Sequence, residues 1–407
     1  MKNIIRRALA LASILVLLWV ALVSADSIFD IRGMGRDIIP VAGPTRALGG
    51  AVAANPDPLA ASILNPCASA RARALTITAG LAHTSTTTNN LGEEKKTVGT
   101  SFPSVVVAVP ASKFSVFSGL YLEKQGRISL AQVDQVDTLS PGNMIYDVTY
   151  KREISINSVP VLLSTAITQR LVLAAGIIVS FCDMREEQII DFRDSKYSDA
   201  DDVMDTYAMG EGFAAAFQID LDRVRLGGIL RTAPDLNGEL ERRNSPIGLW
   251  STEKIEISSK DAFRLGLQAL PIRAVSVEVD YDRAPWSRLR LNDEILSDKM
   301  VERWAVGIQY RGDYLWRGSK YPINLGYYRQ PLDWEGESQA GIATGEITEE
   351  VYSLGTSIPI VQDRASIALS LEIGSRKTEM RSNLDERFYG LSLSISAIEA
   401  WQREIRR

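Results

Sequence analysis

Residues 387–397 read RFYGLSLSISA, and their side chains fall into two sets. Tyr389, Leu391, Leu393, Ile395 and Ala397 share one parity, while Phe388, Gly390, Ser392, Ser394 and Ser396 share the other. A helix would scatter each set around its axis, whereas an extended strand keeps the two on opposite faces. The same alternation runs through RASIALSLEIG (364–374), VSVEVDYD (275–282) and RWAVGIQYR (303–311). One face in each is Leu, Val, Ile, Ala or aromatic. The other mixes Gly and Ser with charge: Glu372, Glu278, Asp280, Asp282, Arg303 and Arg311, joined by Arg225 and Arg264 on neighbouring segments.

Working outward, the pattern gives fifteen strand candidates: 74–84, 99–110, 113–124, 143–156, 171–184, 207–221, 223–233, 247–258, 261–270, 273–282, 302–311, 321–330, 349–358, 364–375 and 387–396. Most reach ten residues or more, longer than soluble strands and close to the 9–11 of a tilted membrane strand. Tight connections (110–113, and 222) alternate with long polar ones (185–207, 330–348). That asymmetry is the mark of outer-membrane barrels. A charge facing lipid at mid-depth costs about 2–4 kcal/mol, so the charged faces are expected to line a wet lumen and the apolar faces to meet lipid. Trp304 and Tyr310 share a face six residues apart, which suits one ring at each interface.

The start of the chain agrees. Lys2, Arg6 and Arg7 precede an apolar run from Ala8 to Val23 and small residues up to Ala25, the arrangement of an export signal over 1–25. Its removal takes away those three basic residues, moving the net charge from −5 to −8. So acidic a chain has no cationic surplus for nucleic acid, and outer-membrane lipid and lipopolysaccharide are the expected surroundings.

Chemistry has few candidates. His83 is the single histidine of the 407 residues, at the end of the first strand candidate, so a His-based hydrolase is not expected. Neither cofactor nor metal is predicted. Asp194, Asp199, Asp201, Asp202 and Asp205 form an acidic run without the Gly and terminal Glu of an EF-hand, and read as a solvated outward loop that bridges to lipopolysaccharide through divalent ions. Cys67 and Cys182 are as compatible with two buried free thiols as with a disulfide.

One segment fits no strand. RALGGAVAANPDPLAASILNPCA (46–68) is too rich in Gly, Ala, Asn and Pro for an ordinary core and too apolar for a linker. Its glycines, Gly49 and Gly50, allow close packing, and Pro56, Pro58 and Pro66 forbid a long helix. A barrel of about 14 strands is wide enough to need filling, so this segment suits a compact plug in its lumen. The reading is an all-β, antiparallel transmembrane β-barrel: signal 1–25, plug or hatch 26–72, barrel 73–407.

That segment resembles the N-terminal hatch of the FadL-type transporters of long-chain fatty acids and aromatic hydrocarbons, with Arg46, Ala47, Gly50, Asp57, Asn65 and Pro66 at matching positions. The resemblance implies a 14-stranded plugged barrel, so that two of the fifteen candidates merge or one is a loop, with 247–258 the weakest. It also implies passive uptake of a hydrophobic small molecule, partly through a lateral opening in the wall, for which Gly119 is a marker. Cys67 stands where the family usually has Ala, and the chain ends in AWQREIRR rather than on an aromatic residue. That ending is similar to PorV-like relatives, whose partners are secreted proteins and whose role is secretion or surface attachment.

Overall fold

The protein is described by a computed structural model over residues 27–399, except 32–33, 42, 91, 138–143, 195–196, 246–247, 285–289, 292–293, 296–299, 312–314, 317–318, 336–345, 362–364 and 379–383. The expected export signal over 1–25 and the basic C-terminal residues lie outside the described part. Alternating faces give a closed wall of fourteen antiparallel strands. In order they are β1 (Leu75–Asn90), β2 (Glu93–Ser101 and Ser104–Ala111), β3 (Phe114–Asp137), β4 (Met144–Ala166), β5 (Leu171–Phe192), β6 (Ala200–Leu221) and β7 (Val224–Arg231 and Leu236–Ser245). The circuit continues with β8 (Leu249–Ser258 and Ala262–Ile272), β9 (Val275–Arg283), β10 (Glu302–Tyr310), β11 (Ile323–Glu335), β12 (Glu346–Val361), β13 (Ala365–Thr378) and β14 (Leu384–Glu399). β14 closes on β1 from Leu75↔Glu399 to Asn90↔Leu384. The candidates 247–258 and 261–270 are two halves of β8, which reduces fifteen to fourteen.

Sidedness follows parity. Leu371 on β13 is 54% exposed while Glu372, one residue on, is 6% exposed. Leu391, Leu369, Ile308 and Val306 turn outward in the same way. Such an apolar exterior on a closed ladder is stable only against hydrocarbon. Aromatic rings ring it: Tyr281 stacks between Phe263 (5.8 Å) and Trp304 (4.6 Å), and Tyr327 meets Tyr352 at 5.1 Å. Tyr310 and Phe114 stand exposed toward the short-turn end. Two aromatic levels on an apolar band are the exterior of an outer-membrane-type barrel.

The strands run further than the apolar alternation. β3 has 24 residues, roughly 80 Å at 3.3 Å per residue, far more than a 25 Å apolar band needs even when tilted. The expected loop 185–207 therefore shrinks to 193–199, and Asp201, Asp202 and Asp205 lie on β6 rather than in a loop. At Asp201–Asp205 and Glu239–Arg243 the extensions carry charge on both faces, so no period betrays them there, and charge pairs between strands hold them. Arg242 meets Asp202 at 2.6 Å and Arg243 meets Asp205 at 2.5 Å. Among the described residues no group of three or more His, Cys, Asp or Glu is placed to hold a metal.

The wall has a weak seam at β3. Above Tyr121, β3 pairs among the described residues only with β4 and with the two-residue strand Arg36–Asp37 of the N-terminal segment. No ladder pair joins Gly119 and Leu120 to Val159 and Pro160, since Pro160 has no N–H, and the register slips between Leu122 and Lys124. The irregularity thus centres on Glu123, beside Gly119 rather than at it.

Candidate functional site: the plug and its seat

The described residues between 27 and 72 lie inside this wall, and the composition of the segment explains the path. Proline breaks the segment into single 3₁₀ turns, Pro58–Ala60 and Pro66–Arg71, each started by an Asx cap. Asp57 Oδ1 accepts from the Leu59 N–H at 3.0 Å and Asn65 Oδ1 from the Ala68 N–H at 3.3 Å. The Asn65 amide also donates to Val52 O and Asn55 O, both at 2.7 Å, and so ties three stretches of the plug together. Ser69 donates back to Pro66 O at 2.7 Å. Gly49 and Gly50 both have positive φ, +66° and +77°, and a Cβ on Gly49 would stand 2.7 Å from Tyr327 O.

One half of the seat is polar and made by β8–β14. The Asp280 carboxylate accepts the backbone N–H groups of Val52 (2.8 Å) and Ala53 (3.0 Å), and Arg264 donates to Gly50 O at 2.8 Å while pairing with Asp280 and Asp282. Arg303 pairs with Asp282 at 2.7 Å. Asn55 donates to Glu278 at 3.0 Å. Arg46 grips Glu372 through two N–H groups, at 2.7 and 3.0 Å. Ala47 O and the Gly49 N–H are both bound by the Ser353 hydroxyl, at 3.0 and 3.2 Å. Further along, Glu386 receives Ser27 Oγ–H, the Ile28 N–H and Arg376, each at 2.8 Å. Arg264, Glu278, Asp280 and Glu372 therefore meet the plug, and Arg303 is held beside them by Asp282, instead of facing a wet lumen. Each is at most 6% exposed, a burial that paired, hydrogen-bonded charges tolerate. Arg225 and Arg311 stand apart from this clamp, at the short-turn mouth: Arg225 pairs with Asp220 at 3.0 Å and exposed Arg311 donates to Gln309.

The other half is apolar and made by β2–β7. Ile63, Leu64, Cys67 and Ala68 of the plug belong to one cluster with Val106, Phe117, Tyr121, Leu162, Ile178 and Ile229 of the wall. Burial pushes the Cys67 thiol up to about 12, the smaller effect of Arg71 opposing it. Cys67 and Cys182 are both buried and free. His83 stands on β1 with Nδ1 at 3.1 Å from Thr100 Oγ1.

Close approach of plug to wall depends on inward glycines. A Cβ on Gly227, Gly266, Gly307, Gly326 or Gly355 would strike the plug at Ala53, Leu48, Gly49 or Ala47; at Gly307 it would stand 2.8 Å from Leu48 Cβ. The register links these positions across β7 to β12, with Gly266 facing Gly227 and Gly307 facing Gly326. Sequence reasoning noticed glycine on the polar faces without giving it this role. The available signal was a glycine at inward parity in the middle of five strands.

Known proteins share this architecture. A Pseudomonas aeruginosa FadL homologue superposes with a TM-score of 0.61 at 12% identity, over 89% of this chain and 99% of that one. The Pseudomonas putida toluene transporter TodX gives 0.58 at 16%, over 91% and 99%. The Ralstonia pickettii toluene transporter TbuX gives 0.56 at 13%, over 88% and 99%. At these identities the likeness is one of fold, the FadL-type plugged barrel. No curated protein matches by sequence. The family model BamG matches residues 1–406, and the chain belongs to the BamG family.

Proposed function

We propose that the protein is an outer-membrane channel for passive uptake of hydrophobic small molecules, long-chain fatty acids or hydrocarbons, with residues 26–72 as its hatch. One observation carries this reading: the apolar half of the hatch seat coincides with the weak seam of the wall. Phe117, Tyr121 and Leu162, all fully buried against the hatch, flank the stretch where Gly119–Leu120 and Val159–Pro160 share no ladder pair. Hatch residues also hold the seam shut. The Ile38 N–H donates to Glu123 O at 2.7 Å, and Lys124 donates to Gly35 O at 3.1 Å. A shift of residues 35–38 with the turn at 63–68 would open a path from beneath the hatch to the surrounding lipid, apolar at Phe117, Tyr121 and Leu162 and flanked by the buried pairs Lys124–Asp37 (3.4 Å) and Arg231–Glu123 (2.7 Å). Toluene is the compound named for TodX and TbuX, which share the fold. The mechanism needs no covalent chemistry, so the protein is read as a non-enzyme.

A second reading has its own support. A groove of about 360 Å³ across the tall part of β3–β6 is lined by Arg127, Glu153, Asp183, Arg185 and Asp205, a surface suited to a protein and ill suited to a hydrocarbon. It favours a PorV-like role in secretion or surface attachment, with secreted proteins as partners. Mass spectrometry of lipids extracted from the purified barrel separates the two. Bound fatty acids or hydrocarbons support uptake; their consistent absence beside a co-purifying secreted protein supports the alternative.

A further inference from the structure

Two of the inward arginines take no part in the hatch clamp, and they converge elsewhere. At the short-turn mouth a cavity of about 50 Å³ is lined by Pro56, Arg225, Gln268, Arg273, Ser276 and Arg311. At 10–15 Å³ for each water-sized group, that holds a cluster of about three to five such groups. Its charge balance is one-sided. The Asp220 carboxylate is shared by Arg225 at 3.0 Å and Arg71 at 3.7 Å, whereas among the described residues neither Arg273 nor Arg311 forms an ion pair, Arg311 acting on the Glu278 carboxylate only at longer range. Glu278 lies behind Gln268 and is occupied by the Gln268 and Asn55 amides, at 2.7 and 3.0 Å.

The second observation is Ser276. Its side chain is 4% exposed, lines the cavity and leaves its hydroxyl without a partner. A buried hydroxyl without a bond is costly, and a neutral donor beside three guanidinium groups, one bound to Asp220 and Gln268 and one to the neutral Gln309, is the kind of donor set that recognises oxyanions. We propose that this cavity binds a compact oxyanion, a phosphate- or carboxylate-type group, between Arg225, Arg273, Arg311 and Ser276. The site lies beneath the hatch, on the side where both ends of the barrel chain emerge, and it stands whether or not hydrophobic compounds pass the lumen.

The test is calorimetric titration of the full-length barrel in nonionic detergent and chloride-poor buffer, with sodium phosphate, sodium sulfate and sodium acetate in separate runs. Saturable binding of phosphate is expected, weakened about tenfold or more by Arg273→Gln, as loss of a charge-assisted bond implies, and several-fold by Ser276→Ala. Arg170→Gln, which removes the same charge from another turn at that end, should leave affinity within about twofold. Binding of phosphate and sulfate alone identifies a tetrahedral site; equal binding of acetate extends it to carboxylates. Both outcomes support the proposal. Absence of saturable heat with all three anions, or an equal loss in Arg170→Gln, would overturn it. Heat-modifiable gel mobility verifies folding, and Ser276→Ala reports on the same cavity should Arg273→Gln fail to fold.

Discussion

Gly227 offers the sharpest test of how the plug is held. A Cβ placed there would stand 2.5 Å from the Ala53 carbonyl carbon, with the carbonyl oxygen nearer still, against the 3.4 Å at which ordinary contact begins. Relieving the closer contact, to the oxygen, requires wall or plug to yield by more than 1 Å. The wall is poorly able to, because Gly227 is paired on both sides, with Gln218 on β6 and Gly266 on β8. The plug moves instead, and the same displacement takes the Val52 and Ala53 N–H groups, now 2.8 and 3.0 Å from Asp280, beyond hydrogen-bonding reach. It also strains the 2.8 Å bond from Arg264 to Gly50 O. Three bonds to charged groups, at about 1.5–3 kcal/mol each, give roughly 5–9 kcal/mol against seating. Gly227→Ala is therefore expected to fold as a barrel with its plug displaced, seen as a rise in single-channel conductance and in liposome permeability to small sugars. Gly228→Ala is the control, since the nearest atoms its Cβ would meet belong to the outward side chains of Phe217 and Leu265 rather than to the plug. A folded Gly227→Ala barrel as tight as the parent would refute this account of the seat.

Three further perturbations probe the same arrangement. Glu372→Ala leaves Arg46 buried without its carboxylate and should cost about 3–5 kcal/mol of plug docking, visible as increased protease access to residues 27–72; the exchange Arg46→Glu with Glu372→Arg should recover part of it. Replacing Asn65 and Pro66 together with Ala removes the three Asn65 bonds, about 3 kcal/mol, and should raise solute permeability in a barrel of unchanged heat-modifiability. With its thiol pushed up to about 12 and 1% exposed, Cys67 should resist maleimide at pH 8 in the parent and react in Gly227→Ala; equal labelling of the two would count against plug displacement.

Much of the architecture was legible because lipid imposes strict alternation. The rows Leu369–Leu371–Ile373 and Trp304–Val306–Ile308 show it, and both face outward. Where lipid ends, so does the signal. Asp201–Asp205 and Glu239–Ser245 are strand segments held by cross-strand charge pairs and backbone ladders, with no continuous apolar face to announce them. The plug was legible from Asn65, Pro66 and its small residues, but its fastenings were not. That Arg46 belongs to Glu372 and Ser27 to Glu386 depends on registers summed around much of the circumference. The charge on Asp280 predicts an inward side chain, yet only the register shows it beneath Val52 and Ala53, occupied by amides instead of solvent.

The contact from Ser27 to Glu386 joins residues 359 positions apart in the chain. The N-terminal end of the described chain thus finds its anchorage on the last strand of the barrel, and Glu372 and Asp280, also late in the sequence, hold the turns between. Seating of the plug is consequently a closing event in biogenesis: it cannot be complete before β14 has met β1, so a barrel arrested short of closure would remain unstoppered.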